Sequence, residues 1–198
     1  MKRLRPRCAG SVLFPCPSEW NCSAHLQTWR SRQIHPYRNR NMLNRLQDVF
    51  KSFQQHDVKY VVIGGIASIL HGVPRATFDL DILIDATPDN SQRLLDALQD
   101  AGLGTASLTN VKDLLANEIT VFRDRVRLDV QTSTPGIKFQ EAWAHRKTVS
   151  YQGQDFFILS KADLIASKRA AGRDVDLEDV RLLETPDSGD AEQPGDSR

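Results

Sequence analysis

The length and composition of the chain favour one folded domain with tails and exclude several classes of protein. Its 198 residues suffice for one sizeable core, and a net charge of +1, from 26 basic and 25 acidic residues, gives no overall attraction to nucleic acid or membranes. The three cysteines fall within the first 22 residues, which argues against a disulfide framework. No stretch approaches the roughly 18 to 20 apolar residues of a membrane span. We therefore expect a cytoplasmic protein that makes no use of a membrane.

The two ends of the chain differ in composition from its centre. Residues 1–40 are rich in Arg, Pro and Ser without helical or strand periodicity, and residues 186–198 are acidic with Pro, Gly and Ser. Both compositions predict disorder, so the folded domain is placed at residues 41–185. The first segment has two further interpretations: an extension from a misplaced start codon upstream of Met42, or a basic arm that binds nucleic acid.

The centre of the chain alternates helical and strand patterns. Its first half predicts a helix over 42–55, a buried strand over 60–63, a short helix over 66–70, a strand over 77–84, and a helix that Thr87 caps and Gly102 ends. Residues 103–116 are ambiguous. Its second half predicts a hairpin (119–122 and 126–130), a helix (139–145), two strands (148–151 and 156–159) and two closing helices within 160–184 (161–171 and 176–183). This order predicts an α/β (α+β) fold with a mixed β-sheet flanked by helices.

Two aspartates of the strand over 77–84 are the first candidates for chemistry. Asp79 and Asp81 are two residues apart, so both point to one face with Cα atoms roughly 6.5 to 7 Å apart. Two such charges about 5 Å apart repel by roughly 3 kcal/mol at an effective dielectric near 20, which a cation would relieve. Their oxygen atoms suit Mg²⁺ or Mn²⁺. Asp129, on the polar face of the strand over 126–130, would complete a two-metal site and accept a proton from an attacking hydroxyl.

A pair of glycines stands between a predicted strand and a predicted helix. Gly64 and Gly65 leave the backbone bare where its N–H groups can approach a phosphate, and the helix start adds a favourable dipole. Alone, such a pair is more often a tight turn, and Asp-x-Asp alone is a weak signal. Arg75 either binds substrate phosphate or pairs with a carboxylate. Together the features support phosphoryl or nucleotidyl transfer.

The combined pattern resembles the nucleotidyltransferase superfamily that includes DNA polymerase β and the kanamycin nucleotidyltransferases. The segment from Gly64 to Gly72, with the Asp-Leu-Asp that follows and the closing helices, looks like minimal bacterial nucleotidyltransferases related to abortive-infection and toxin–antitoxin components. The resemblance covers about residues 42–185. Ser68 departs from it, because many members carry a serine directly after the first glycine. The resemblance implies these site residues: Asp79, Asp81 and Asp129 as catalytic metal ligands, and Gly64, Gly65, Arg75, Thr77 and Lys168 at the nucleotide phosphates.

The resemblance implies an enzyme that moves a nucleoside monophosphate from an NTP to a hydroxyl acceptor and releases pyrophosphate. It implies two divalent ions, Mg²⁺ or Mn²⁺, and leaves the acceptor open between a protein, an RNA 3′ end and a small molecule. A toxin–antitoxin partner and a homodimer are both compatible with it. The first alternative is a non-catalytic, nucleotide-binding or antitoxin-like partner with the same fold. The second is a sugar-nucleotide glycosyltransferase, which explains the two aspartates but not the glycines or Asp129.

Overall fold

The computed structural model describes residues 36–185. The cysteines, the first 35 residues and the acidic end, on which the predictions of disorder and of a basic arm fall, lie outside the described residues. The described part contains seven α-helices and six strands, together with a 3-10 helix over Gly104–Leu108. Their bounds are α1 Pro36–Gln55, β1 Tyr60–Val62, α2 Gly64–Leu70, β2 Asp79–Ile84, α3 Pro88–Asp100, α4 Val111–Ala116, β3 Ile119–Arg123, β4 Arg127–Gln131, α5 Phe139–His145, β5 Lys147–Tyr151, β6 Gln154–Ile158, α6 Lys161–Ala171 and α7 Asp174–Glu184.

The six strands form one mixed sheet, which confirms the predicted fold class. Their order is β3-β4-β2-β1-β6-β5. β2 runs parallel to β4, and β1 runs parallel to β6. The other neighbours, β1 with β2, β3 with β4 and β5 with β6, are antiparallel. β2 and β4, the strands that carry the predicted aspartates, are therefore direct neighbours inside the sheet.

Alternating side chains of the strands supply two separate cores. On one face, Leu80, Ile82 and Ile84 of β2 pack with residues of α1 and α3 in the larger cluster. On the other face, Leu83 belongs to a smaller cluster to which α2, α5, α6 and α7 contribute. Asp79 and Asp81 have the parity of Leu83 and so lie on this second face, which we call the site face.

Local capping signals explain where several helices begin and end. Thr87 accepts a hydrogen bond from the Asn90 amide ahead of Pro88, as predicted for the start of α3. Ser160 accepts one from the Asp163 amide at 3.1 Å and starts α6, and Gly172, with φ +66°, ends it. The prediction that Thr87 caps α3 is confirmed, and all three signals depend only on neighbouring residues.

Several predicted boundaries differ from the structure by two residues or more, and two of them have a clear physical reason. α1 begins at Pro36 rather than at residue 42, and a proline is favourable at the first position of a helix. β2 begins at Asp79 rather than at residue 77, because its pairing with β4 starts there. Strand alternation continued back from Leu80 would put Phe78 on the same apolar face, but Phe78 is 82% exposed. Among the described helices, none has the length and apolar character needed to cross a membrane.

Candidate active site

Strand register brings the three predicted carboxylates together on the site face. The parallel pairing of β2 with β4 sets Asp81 opposite Asp129, and Asp79 opposite Arg127. Residues paired across two strands point to the same face, so the four side chains form a compact group. Like charges directly opposite each other destabilise a sheet, and the pair Asp81 and Asp129 therefore calls for a compensating cation.

Arg127 supplies a positive charge inside this group. Its Nε and Nη2 donate to the two carboxylate oxygens of Asp129 at 2.9 and 2.8 Å, a bidentate pair. Its Nη1 lies 3.3 Å from Oδ2 of Asp79. Alternation places Arg127 on the face of Asp129, but no other feature of the chain indicates this contact, and Arg127 was missing from the predicted site residues.

Asp81 is the carboxylate with the most perturbed ionisation. Burial raises its pKa to about 6, and the negative charges of Asp129 and Asp79 act in the same direction. A hydrogen bond from the Gly65 amide and the charge of Arg127 oppose this rise with smaller effects. The electrostatics thus place Asp81 close to both other aspartates, in a position where a bound cation would favour its charged form.

The two glycines are required by close packing against the site. Gly64 has φ +62°, and a Cβ added to it would lie 2.9 Å from Cγ of Asp81 and closer still to one oxygen of that carboxylate. A Cβ on Gly65 would lie 2.9 Å from Oγ1 of Thr77. The start of α2 therefore contacts Asp81, and the Gly65 amide donates to that carboxylate. The predicted phosphate contacts of Gly64, Gly65 and Thr77 stay predictions.

Two cations that were predicted to bind phosphate, Lys168 and Arg75, form ion pairs with aspartates of α7. Lys168 is 5% exposed, with Nζ 2.9 Å from Asp176 and 2.7 Å from Asp179. Arg75 donates to Asp179 at 2.6 Å, and the Ser68 hydroxyl donates to the same oxygen at 3.0 Å. The carboxylate partner foreseen as one alternative for Arg75 is confirmed. Lys168 neutralises these buried carboxylates, and its predicted contact with the nucleotide phosphates stays a prediction.

Arg173 is an exposed cation near the carboxylates that the predicted set of site residues omitted. Its side chain is 72% exposed, and its Nε donates to Asp176 at 2.5 Å. Its pKa is raised mainly by the hydrogen bond to Asp176, and the charge of Asp81 contributes. Arg173 therefore lies within electrostatic reach of Asp81. In the sequence, the feature that could have indicated Arg173 as a site residue is its position directly after Gly172, where α6 ends.

Of the three grouped aspartates, only Asp79 and Asp81 have carboxylate oxygens placed to bind a divalent cation. Asp79 and Asp81 offer hard oxygen atoms on one face, and the Asp79 side chain is 38% exposed. Both oxygens of Asp129 are engaged by Arg127. Between residues 36 and 185 no three His, Cys, Asp or Glu side chains are arranged to hold a metal ion together. Arg127 thus occupies the oxygens of the third predicted ligand, and the role of Asp129 as a metal ligand stays a prediction.

Comparison with family models places the chain in the nucleotidyltransferase superfamily. Residues 41–190 match the family described as nucleotidyltransferase of unknown function (DUF6036), and the chain belongs to this family. The superfamily resemblance is thereby confirmed, and the glycosyltransferase alternative is wrong. The narrower likeness to abortive-infection and toxin–antitoxin proteins stays a prediction.

Two further comparisons add little to the family match. No functionally curated protein matches the sequence. Among solved structures, the chain is similar to a Thermotoga maritima protein that is provisionally named a nucleotidyltransferase. The identity is 14%, the alignment covers 72% of this chain and 92% of the other, and the TM-score is 0.49. A function for this chain therefore rests on family membership and on the geometry of the site face.

Proposed function

We propose that the protein is a metal-dependent enzyme that transfers a nucleoside monophosphate from an NTP to a hydroxyl acceptor. The observation that carries the proposal is the strand register, which sets Asp81 opposite Asp129 with Asp79 beside them. Membership in a nucleotidyltransferase family supports nucleotidyl transfer in general terms. In the reaction the acceptor oxygen attacks the α-phosphorus, the bond between the α and β phosphates breaks, and pyrophosphate leaves.

The side chains of the site face divide the work of this reaction. Asp79 and Asp81 would hold Mg²⁺ or Mn²⁺, which when bound offsets the charge of the triphosphate. Asp129 would accept the proton of the attacking hydroxyl. Its carboxylate has about four lone-pair sites, so it keeps acceptor capacity after taking two N–H bonds from Arg127. Arg173, exposed and within electrostatic reach of Asp81, would bind the phosphates in the role predicted for Lys168.

The experiment that tests the proposal is label transfer. The full chain is incubated with each of the four NTPs, labelled on the α-phosphate, together with Mg²⁺ and cell extract. We expect label on a macromolecule or small molecule with at least one NTP, and loss of labelling in Asp79→Asn. Asp96→Asn is the matched control, because Asp96 is an exposed residue of α3 whose contact with Gln92 an asparagine preserves. Failure of all four NTPs to give transfer would refute the enzyme proposal.

The same experiment assigns the acceptor class. Label that survives ribonuclease but not protease identifies a protein, and the reverse result identifies RNA. Label that stays in the low-mass fraction identifies a small molecule. A cytoplasmic toxin–antitoxin partner is one acceptor that this experiment would detect as a labelled protein.

A non-catalytic, nucleotide-binding or antitoxin-like partner is the second candidate function. The observation that favours it is the bidentate contact of Arg127 with Asp129, which occupies the carboxylate proposed as the base. This candidate predicts NTP binding without label transfer, and a biological effect that survives Asp79→Asn. Thermal stabilisation by an NTP, measured on the same samples as label transfer, distinguishes the two functions.

A further inference from the structure

We propose that the protein binds one divalent cation, at Asp79 and Asp81, and that the guanidinium of Arg127 stands in place of a second ion beside Asp129. The inference rests on the proposed function, because it concerns the same group of carboxylates. It replaces the two ions that the sequence resemblance implied.

The contacts of Arg127 divide the site into two unequal ends. At Asp129 the guanidinium makes two hydrogen bonds, of 2.9 and 2.8 Å, one to each oxygen, and only 13% of this carboxylate side chain is exposed. At Asp79 it makes one contact, at 3.3 Å, which is longer than the roughly 2.7 to 2.9 Å of a strong charge-assisted bond. A metal ion can therefore replace the guanidinium at Asp79 more readily than at Asp129.

The position of Arg127 also opposes a second ion by charge. An ion shared by Asp81 and Asp129 would share the Asp129 carboxylate with the fixed positive charge of the guanidinium. An arginine does not lose its proton in proteins, so this repulsion cannot be relieved by deprotonation. An ion held by Asp79 and Asp81 meets the guanidinium only at its weaker contact.

The charges of the group balance with one ion. Asp79, Asp81 and Asp129 carry three negative charges when ionised. One divalent ion and the Arg127 guanidinium carry three positive charges between them. A second divalent ion would leave a net charge of +2 on the metal-loaded group before any nucleotide arrives.

Direct counting of bound metal tests the inference without reference to activity. The full chain is titrated with Mn²⁺ alone, and free Mn²⁺ is followed by electron paramagnetic resonance. We expect one strong site per wild-type chain and its loss in Asp79→Asn. In Arg127→Gln we expect a second site, or a second binding step at least tenfold tighter than any in the wild type. Adding inorganic tripolyphosphate, which carries no base, repeats the count in the presence of a triphosphate chain.

Arg123→Gln is the matched control. Arg123 lies on β3 directly opposite Arg127, on the same face, and its removal subtracts the same charge from the sheet. We expect one strong site in this variant, as in the wild type. Arg127→Lys serves if Arg127→Gln does not fold, because a lysine keeps the charge but cannot engage both oxygens of Asp129 in the same fork. We expect it to give a second binding step tighter than any in the wild type.

Each other outcome has a definite meaning. Two strong sites in the wild type would overturn the inference and leave the proposed function standing. One site with unchanged affinity in both Arg127 variants would show that Arg127 does not set the number of ions. Absence of any site in the wild type overturns the inference, and together with absent label transfer it overturns the proposed function as well.

Discussion

Replacing Asp81 with asparagine is expected to stabilise the metal-free protein at neutral and alkaline pH. The pKa of Asp81 rises from 3.8 to about 6 on folding. A raised pKa means that the folded state binds the proton of Asp81 more tightly than the unfolded state does. Protonation of Asp81 therefore stabilises the fold at low pH, and this stabilisation is lost as the pH rises through 6. At about 1.4 kcal/mol per pKa unit, the ionised carboxylate costs up to roughly 3 kcal/mol at pH 8 and about half of that at pH 5. Asparagine removes this cost.

Urea denaturation of the wild type and Asp81→Asn at pH 5 and pH 8, with a chelator present, measures the effect. The gain in unfolding free energy should be about twice as large at pH 8 as at pH 5. Asp96→Asn should show no pH-dependent gain, because that side chain is exposed. Excess Mg²⁺ should shrink the difference at pH 8, since it binds the wild-type carboxylate. An equal gain at both pH values, or a loss at pH 8, would refute the electrostatic account of Asp81.

Three further substitutions test other parts of the site. Gly64→Ala should cost about 1 to 3 kcal/mol of unfolding free energy and abolish label transfer. Gly102→Ala is the control: Gly102 also has a positive φ, but the space around it is open, so this variant should keep activity. Lys168→Met should cost about 3 to 5 kcal/mol in urea denaturation, because its two aspartate partners stay buried without their shared cation; a loss below about 1 kcal/mol would contradict the network. Arg173→Gln should raise the KM for the NTP, while Arg181→Gln, which removes an equally exposed arginine within α7, leaves it unchanged.

The parts of the fold that sequence could predict are those set by near neighbours. Thr87, Ser160 and Gly172 bracket helices through contacts within a few residues, and their roles follow from residue type and spacing. The hairpin of β3 and β4 follows from two β-forming runs separated by a short charged turn. The common face of Asp79 and Asp81 follows from strand alternation alone.

The parts that could not be predicted depend on how distant elements pack. Lys168 has its partners on α7 and shares one of them with Ser68 of α2, so nothing near it in the sequence indicates burial. An arginine two residues before Asp129 could equally have pointed to solvent, and only the register with Asp79 aims it at both carboxylates. Phe78 shows the limit of alternation, because the alternating pattern starts before the pairing of β2 with β4 begins.

The parallel pairing of β2 with β4 has a consequence for how the molecule becomes active. These strands meet only after the chain has placed α3, α4 and β3 between them, and such non-local pairings form late compared with local helices. A chain with its helices formed but β4 unpaired has no opposed aspartates. In refolding experiments, label transfer, which needs Asp129 opposite Asp81, should therefore recover later than helical circular dichroism and so mark the last stage of folding.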